Sequence, residues 1–549
     1  MLNDRRTRGF QQVNYNRPNS VRSSPGFAAV PKDSHPPSLH WRGEPTRGEA
    51  EAVLAALEPV TASRYELSVG PRRVRTVTYL DTVDWRLRGK GLVASHERAS
   101  GPGTLTIDGD GVSGTTRLTE LPQWPARVEQ LPEGEARDGM ASAMWVRAVG
   151  PVLRSRAVTR EVAVLDDEGK TVVRLDWAEV TGIDPVATPP LVRVSLWPVL
   201  GYGRDAKRVR KALRAAEGFA DVDGDLYDGL LTAAGIVPEE AAAPAITREM
   251  PADVAIATAL HGFAGVIAVN VNGVLDDIDT EFLHDLRVAV RRTRSLLKLA
   301  GDVLPPRLVA RYEPDFKWLG DITTPTRDLD VYLLEFDALT AMLVAGEPDD
   351  LAPFGELLRA EREKARRTLA RALRSQRFTR LIEGWQAALA EIIDRERSEA
   401  ELSAEALAGQ RVRRMVKKVV RRARSITPES PSESVHDLRK RCKELRYLLE
   451  VVKPVCDEAA HRAVIKDLKK VQDILGAFQD GEVQSESLRG FAERLQAGNR
   501  RPPAATLLAM GELSAGFVDM QLRARHDLTE ALERFLGPAT HERIKALLP

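Results

Sequence analysis

The chain has 549 residues, 43% of them apolar and 29% charged, a globular composition that excludes a collagenous, rod-like or wholly disordered polypeptide. Its 80 Lys and Arg stand against 79 Asp and Glu, and the resulting net charge of +1 argues, at face value, against a polyanion ligand. The two cysteines, Cys442 and Cys456, are too few for a disulfide framework or a four-thiolate zinc site and read as indifferent thiols in a reducing compartment.

Residues 1–45, rich in Arg, Asn, Ser, Pro and Gly, lack apolar periodicity and are expected to form a disordered tail. That polar start has no apolar signal core, so a cytoplasmic protein is the default expectation. Residues 46–236 alternate short β-like runs with Gly and Pro: Arg73–Leu80, Thr104–Ile107, Ala157–Leu165, Thr171–Val180 and Leu191–Leu196. Short helices are predicted at Glu49–Leu57 and Ala206–Glu217. Residues 237–250 read as a linker, and residues 251–549 as helix throughout, with few Gly and a period near 3.6. The most apolar stretch, Phe263–Leu275, is broken by Asn270 and Asn272 and is not expected to span a membrane.

Resolved by segment, the charge is +4 over 1–40, −4 over 41–250 and +1 over 251–549, where 47 basic residues face 46 acidic ones. No segment is basic overall, so an anion site requires charges sorted onto particular faces. The helical half supplies that sorting through an ungapped internal repeat at an offset of 152 residues. His284-Asp285-Leu286-Arg287 matches His436-Asp437-Leu438-Arg439, Arg291 matches Lys443, Arg294 matches Arg446, and Asp328 matches Asp480. The halves are expected at about 251–400 and 401–549.

At about 100° per residue, His284, Arg287, Arg291, Arg294 and Lys298 share one arc, opposite Leu286, Ala289, Val290, Thr293, Leu297 and Ala300. His436, Arg439, Lys443 and Arg446 do the same opposite Leu438, Leu445, Leu449 and Val452. Each helix is thus expected to bury one face and show a line of cations outward. Two more helices are basic: Arg411–Arg424 holds eight cations and no acid, with Arg413, Arg414, Lys417, Lys418 and Arg421 outward, and Arg362–Arg380 holds eight cations, Arg366, Arg367, Arg371 and Arg374 among them, and one acid. Cations at successive turns repel by a few tenths of a kcal/mol per pair, roughly, and a bound polyanion would offset this. The outward faces carry almost no aromatic residues on which bases could stack, since Tyr447, Phe378 and Trp318 read as core or rim; bare Arg and Lys rows suit a phosphate chain without bases. No His, Cys or carboxylate cluster has metal-ligand spacing near either histidine, so both histidines read as phosphate contacts and no metal or cofactor is expected.

The segment His284-Asp-Leu-Arg287-Val-Ala-Val-Arg291-Arg292-Thr-Arg294, the run Thr326-Arg327-Asp328-Leu329-Asp330-Val331 and the second copy from His436 resemble the CHAD domain (conserved histidine α-helical domain) over residues 251–549. The resemblance implies an all-α fold of two pseudo-twofold related bundles with a basic groove for inorganic polyphosphate. Its contacts would be the cations named above with Arg327, Lys317, Lys469 and Lys470. One departure is the absence of Lys and Arg between Arg248 and Arg287, which leaves the helix matching 411–424 uncharged and the site lopsided.

Tyr79-Leu80-Asp81-Thr82-Val83-Asp84-Trp85-Arg86-Leu87, the stretch Arg154–Arg160 and the strand Thr171–Val180 resemble more weakly the CYTH domain of the triphosphate tunnel family. This implies an antiparallel β-tunnel that turns over triphosphates on a divalent metal. The family's opening E-x-E-x-K motif is missing, and Val194-Ser195-Leu196 replaces its Glu-Leu-Glu strand. The expectation is an α+β multidomain chain with a degenerate, non-catalytic CYTH-like domain, in which Arg154, Arg156, Arg160 and Arg174 could retain anion contact, followed by a polyphosphate-binding CHAD domain, associated with polyphosphate granules and not with a membrane. A metal-dependent triphosphatase and a nucleic-acid-binding protein are the alternatives.

Overall fold

The computed structural model describes residues 64–215, 225–236, 246–395, 402–498 and 501–547, with the backbone of two further strands at Ser38–Trp41 and Phe219–Asp221. The predicted helix at Glu49–Leu57 and most of the tail and linker lie outside these residues. The chain divides into two compact units that part between Ala241 and Ala242.

The first unit is a curled antiparallel sheet. Its strands are β1 (Ser38–Trp41), β2 (Glu66–Val69), β3 (Arg73–Thr82), β4 (Val93–Arg98), β5 (Thr104–Gly109), β6 (Val112–Arg117), β7 (Val149–Leu165), β8 (Thr171–Asp184), β9 (Leu191–Pro198) and β10 (Phe219–Asp221). They lie in the order β10-β1-β9-β8-β7-β3-β4-β5-β6, with β2 paired to the end of β7. Strand β1 corrects the expected tail: Ser38–Trp41 joins the sheet between β9 and β10, and four residues are too few for a period-two signal to be read. Strand β7 begins eight residues earlier than expected, because Gly150 and Pro151 hide an alternation in which Leu153, Ser155 and Ala157 are buried while Arg154 and Arg156 are exposed.

Among the described residues, three α-helices cover this sheet. Helix α1 (Glu135–Met144) lays Ala136, Met140 and Met144 on β4–β6, and α2 (Gly203–Ala215) lays Val209 and Leu213 on β8 and β9. Helix α3 (Leu226–Ala233) sets Tyr227, Leu230 and Leu231 against Tyr79, Leu153, Ala157 and Val180, with the two tyrosine rings stacked at 4.6 Å. The Asp81 motif has a structural task. Its buried carboxylate accepts the backbone N–H groups of Thr82, Leu87 and Arg88 at 2.7, 2.9 and 3.0 Å, closing the turn after β3.

The second unit is helical: α4 (Ala252–Leu275), α5 (Thr280–Ala300), α6 (Pro306–Leu334), α7 (Phe336–Thr340), α8 (Ala352–Leu373), α9 (Gln376–Ile393), α10 (Ala404–Arg424), α11 (Ser432–Val452), α12 (Glu458–Ala497), α13 (Ala504–Leu536) and α14 (Pro538–Lys545). Helices α4, α5, α6 and α8 begin 152 residues before α10, α11, α12 and α13, the offset read from the sequence. Residues 246–250, at the end of the predicted linker, belong to this unit: Ile246 packs on its core, and the Met250 carbonyl accepts the Ala404 N–H. Helix α4 is long and apolar enough to cross a membrane, and half of its most apolar window is buried within the unit.

The apolar faces of α5 and α11 are buried as expected, Leu286, Val290, Leu438 and Leu449 being at most 1% exposed. Each half has a core of its own, around Phe316 and Trp385 in the first and Leu445 and Phe478 in the second. A third core is shared: Tyr332 and Phe354 from the first half meet Phe491, Leu513 and Phe517 from the second, so the halves interlock instead of standing as separate bundles.

Replacing Asp81 by Ala strands three buried backbone donors and should destabilise the β unit by about 3 kcal/mol; urea unfolding followed by tryptophan fluorescence measures it, since six of the eight tryptophans precede residue 200.

Candidate functional site

Two sets of contacts fix how the halves of the helical unit meet. The Ala252 N–H donates to the Leu402 carbonyl at 2.8 Å, and the Ala404 N–H donates to the Met250 carbonyl at 2.7 Å. Moving each residue by 152 positions converts one bond into the other, as at a twofold interface where i meets j and j meets i. The second set joins α5 to α11, which run antiparallel past each other: Arg292 binds Glu450 at 2.8 Å, and Lys298 binds Glu444. These pairs also interchange under the offset, but with the signs reversed, since Glu444 stands where the first copy has Arg292 and Lys298 stands where the second has Glu450.

That crossing brings the two cation lines together. Arg291 lies 5.0 Å above the ring of Tyr447 and Arg446 lies 5.5 Å from it, with the ring itself buried. Burial, then Arg439, Arg291 and Arg446, push the Lys443 ammonium down to about 8. Burial, then Arg327, Arg291 and Arg287, push His284 down to about 4, so it is a neutral imidazole at physiological pH. Arg287, Arg291 and Arg439 are held below their ordinary values by burial first. One cluster thus contains His284, Arg287, Arg291, Arg327, Arg439, Lys443 and Arg446 from both halves.

The two lines of cations differ in exposure. In the first, Arg291, Arg294 and Lys298 are exposed while His284 and Arg287 are half-buried; in the second, His436, Arg439, Lys443 and Arg446 are all half-buried. The Arg287 guanidinium donates to the Thr323 and Thr324 hydroxyls at 3.0 and 2.8 Å, and Arg294 lies over Gly320, where an added Cβ would stand 2.8 Å from its Nη1. Carboxylates line the same cleft: Asp480 is 3.7 Å from Arg439, Glu482 is 2.6 Å from His436, and Asp328 lies in the field of Arg287 and Arg327. Burial raises Asp328 and Asp480 above the ordinary carboxylate range against the pull of these cations. The Nε atoms of Arg439 and Arg446 and the hydroxyl of Tyr447 are buried without a hydrogen-bond partner among the described residues.

Of the other predicted cations, Lys469 acts with Arg446 of the cluster on one carboxylate, Asp473. Arg366 binds Glu363 at 2.8 Å and lies 3.7 Å from Asp277, Arg367 leans on Glu363 at 3.7 Å, and Arg371 and Arg374 are exposed farther along α8. Arg413, Lys417 and Arg421 are exposed on α10, and Lys317, Lys469 and Lys470 on α6 and α12. Lys298, Arg414 and Lys418 line a recess of about 240 Å³ with Arg411 and Asp302. Sequence reading missed two features. Tyr447 looks like core in a one-helix projection, and the partner carboxylates lie on other helices, beyond any i,i+4 search. It also missed the buried clamp in which Arg362 binds Asp277 at 2.6 Å and Asp330 at 2.7 Å, closing the start of the first repeat. Cys442 and Cys456 are buried thiols pushed up to about 12 and about 11.

In the β unit Arg154 and Arg174 lie 3.9 Å from Asp184 and Glu161, and Arg156 is exposed on β7. Among the described residues no group of three or more His, Cys, Asp or Glu could hold a metal ion.

Exchanging the ends of one interhelical pair tests the crossing. Lys298→Glu, which sets two carboxylates together, should cost about 1 kcal/mol, and adding Glu444→Lys should restore most of it in thermal unfolding.

Residues 258–489 match the family model of the CHAD domain. An uncharacterized protein of Mycobacterium tuberculosis is 30% identical over 260 residues, 46% of this chain and 47% of that protein, so the chain spans about half the length of the curated relatives it matches. Similar solved structures include the CHAD domain from the plant Ricinus communis, at 28% identity and a TM-score of 0.45 over 53% of this chain and 95% of that one. Another is a Hippeastrum protein described as having a dominant triphosphatase activity, at 11% identity and a TM-score of 0.26 over 36% of this chain and 94% of that one. Residues 258–489 of the duplicated helical unit, which carry the paired histidine-led cation lines, are a CHAD domain.

Proposed function

We propose that the helical unit binds inorganic polyphosphate in the cleft where α5 and α11 cross, and that the chain is a polyphosphate-binding protein of the cytoplasm that collects on polyphosphate granules. The observation that carries this reading is the convergence of Arg291 and Arg446 on one buried ring beside Arg439 and Lys443, where burial and then the three guanidinium groups lower the Lys443 ammonium. Cations held together against their own repulsion gain most from a ligand that is a continuous line of charge. Tyr447 lies beneath the guanidinium groups and offers no open face to a base, which favours a bare phosphate chain over nucleic acid.

We read the β unit as non-catalytic. Its acid-rich opening motif is missing, and Tyr227, Leu230 and Leu231 of α3 pack against one face of the sheet. Release of phosphate from tripolyphosphate or ATP in Mg²⁺ or Mn²⁺ by the full chain would overturn this.

Reversing Arg287, Arg291, Arg439 and Lys443 together to Glu should abolish polyphosphate retention in a pull-down while circular dichroism stays helical. Wild-type affinity should fall steeply with salt as phosphate neutralisation releases counterions. Affinity should also fall as pH rises through about 8, because a bound polyanion favours the protonated Lys443 and above that value the free protein has already lost the proton. Preferential retention of single-stranded RNA over polyphosphate at matched charge would defeat the reading.

A further inference from the structure

Beyond the crossing, the end of α5 leads away from the cluster. Lys298 stands seven residues past Arg291, about 10 Å along the helix axis, and opens onto the recess of about 240 Å³ between α5 and α10. The recess is lined by Lys298, Arg411, Arg414 and Lys418 against a single acid, Asp302. Arg411 binds Asp302 at 2.6 and 2.5 Å and so neutralises it, and Glu444 occupies Lys298 from behind. No ion pair involves Arg414 or Lys418 among the described residues. Arg414 is exposed, and Lys418 is half-buried at the wall.

The repeat supplies an internal comparison. At the equivalent place in the other half, an offset of 152 puts Glu450 for Lys298, Pro454 for Asp302, Ala259 for Arg411, Gly262 for Arg414 and Val266 for Lys418. None of these five residues is a cation, and the cations that reach this place, Arg292 and Arg446, are paired with Glu450. The basic recess therefore exists on one side of the twofold only, and the cleft has a direction.

Resting on the polyphosphate reading above, we propose that this recess is a second anion subsite, which takes the continuation of a phosphate chain already seated at the crossing, so that long chains leave the cleft on the α10 side. A chain too short to reach past Lys298 engages the crossing alone. The recess thereby makes the protein selective for length, by adding phosphate contacts that only an extended ligand reaches.

Binding of tripolyphosphate and of long-chain polyphosphate to the full chain across a salt series tests this. In the variant Arg414→Gln with Lys418→Gln, tripolyphosphate affinity should stay within about twofold, whereas long-chain affinity at low salt should fall about tenfold and its log–log salt slope should shrink by about 2. Arg371→Gln with Arg374→Gln removes the same charge from exposed sites on α8 and should change neither ligand's slope selectively. Neither pair supports the core, so far-UV circular dichroism should be unchanged for both. Long-chain binding equal to wild type in the recess variant, or an equal loss in the α8 variant, would overturn the subsite while leaving the crossing site intact. Failure of wild type to bind either polymer would instead remove the polyphosphate reading itself.

Discussion

The helical unit depends on the antiparallel apposition of α5 and α11, two helices that bring like charges together. Lys443 is pushed from an ordinary 10.5 to about 8, a field and desolvation burden on the order of 3 kcal/mol against its charged form. What holds the helices in place lies to either side of the cations. Behind them are apolar faces whose residues are almost fully buried, and flanking them are the Arg292–Glu450 and Lys298–Glu444 pairs. The fold therefore spends hydrophobic stability to assemble a site that opposes it electrostatically. Such a site is poised for an anion, because the repulsion is already present before a ligand arrives and is relieved when one binds.

Much of this was legible in the sequence, for reasons specific to helices. A repeat survives as an ungapped offset because the starts of α4, α5, α6 and α8 must keep register with their partners. The angular sorting of Leu286 and Val290 from Arg287 and Arg291 follows from 3.6 residues per turn. What was hidden needed neighbours from distant sequence. No projection of α11 alone shows that Asp480 faces Arg439, that Glu482 meets His436, or that Arg291 covers Tyr447. In the β unit the middles of strands were legible and their ends were not: β7 begins at a Gly-Pro pair that reads as a turn, and Ser38–Trp41 is too short to carry a period.

The near-zero net charge acquires a physical meaning in this frame. Carboxylates are not remote from the cations but interleaved with them, and they are themselves raised by burial, as at Asp328, Asp480 and Glu335. Interleaved acids lower the cost of an empty cleft, and they compete with any anion that enters. On the proposed polyphosphate reading, a cleft of this kind discriminates by charge density, since a ligand must out-compete carboxylates already in contact with the same Arg and Lys side chains.

Duplication explains why the two halves could diverge in the way they have. Identical copies meeting about a twofold would set Arg against Lys, or Glu against Glu, at the flanking positions; joined in one chain, they can carry opposite signs and do so at both pairs. The same freedom placed Tyr447 where the first copy has Ser295, giving one ring in place of two at the centre of the crossing, and loaded α10 with cations while leaving α4 without any. His284 and His436 show the consequence for chemistry. One lies beside Arg327 and is neutral, the other touches Glu482, and the carboxylate equivalent to Glu482 in the first half, Asp330, is withdrawn into the Arg362 clamp. Two residues that look interchangeable in the sequence therefore have unlike neighbours in a site built from a symmetric scaffold.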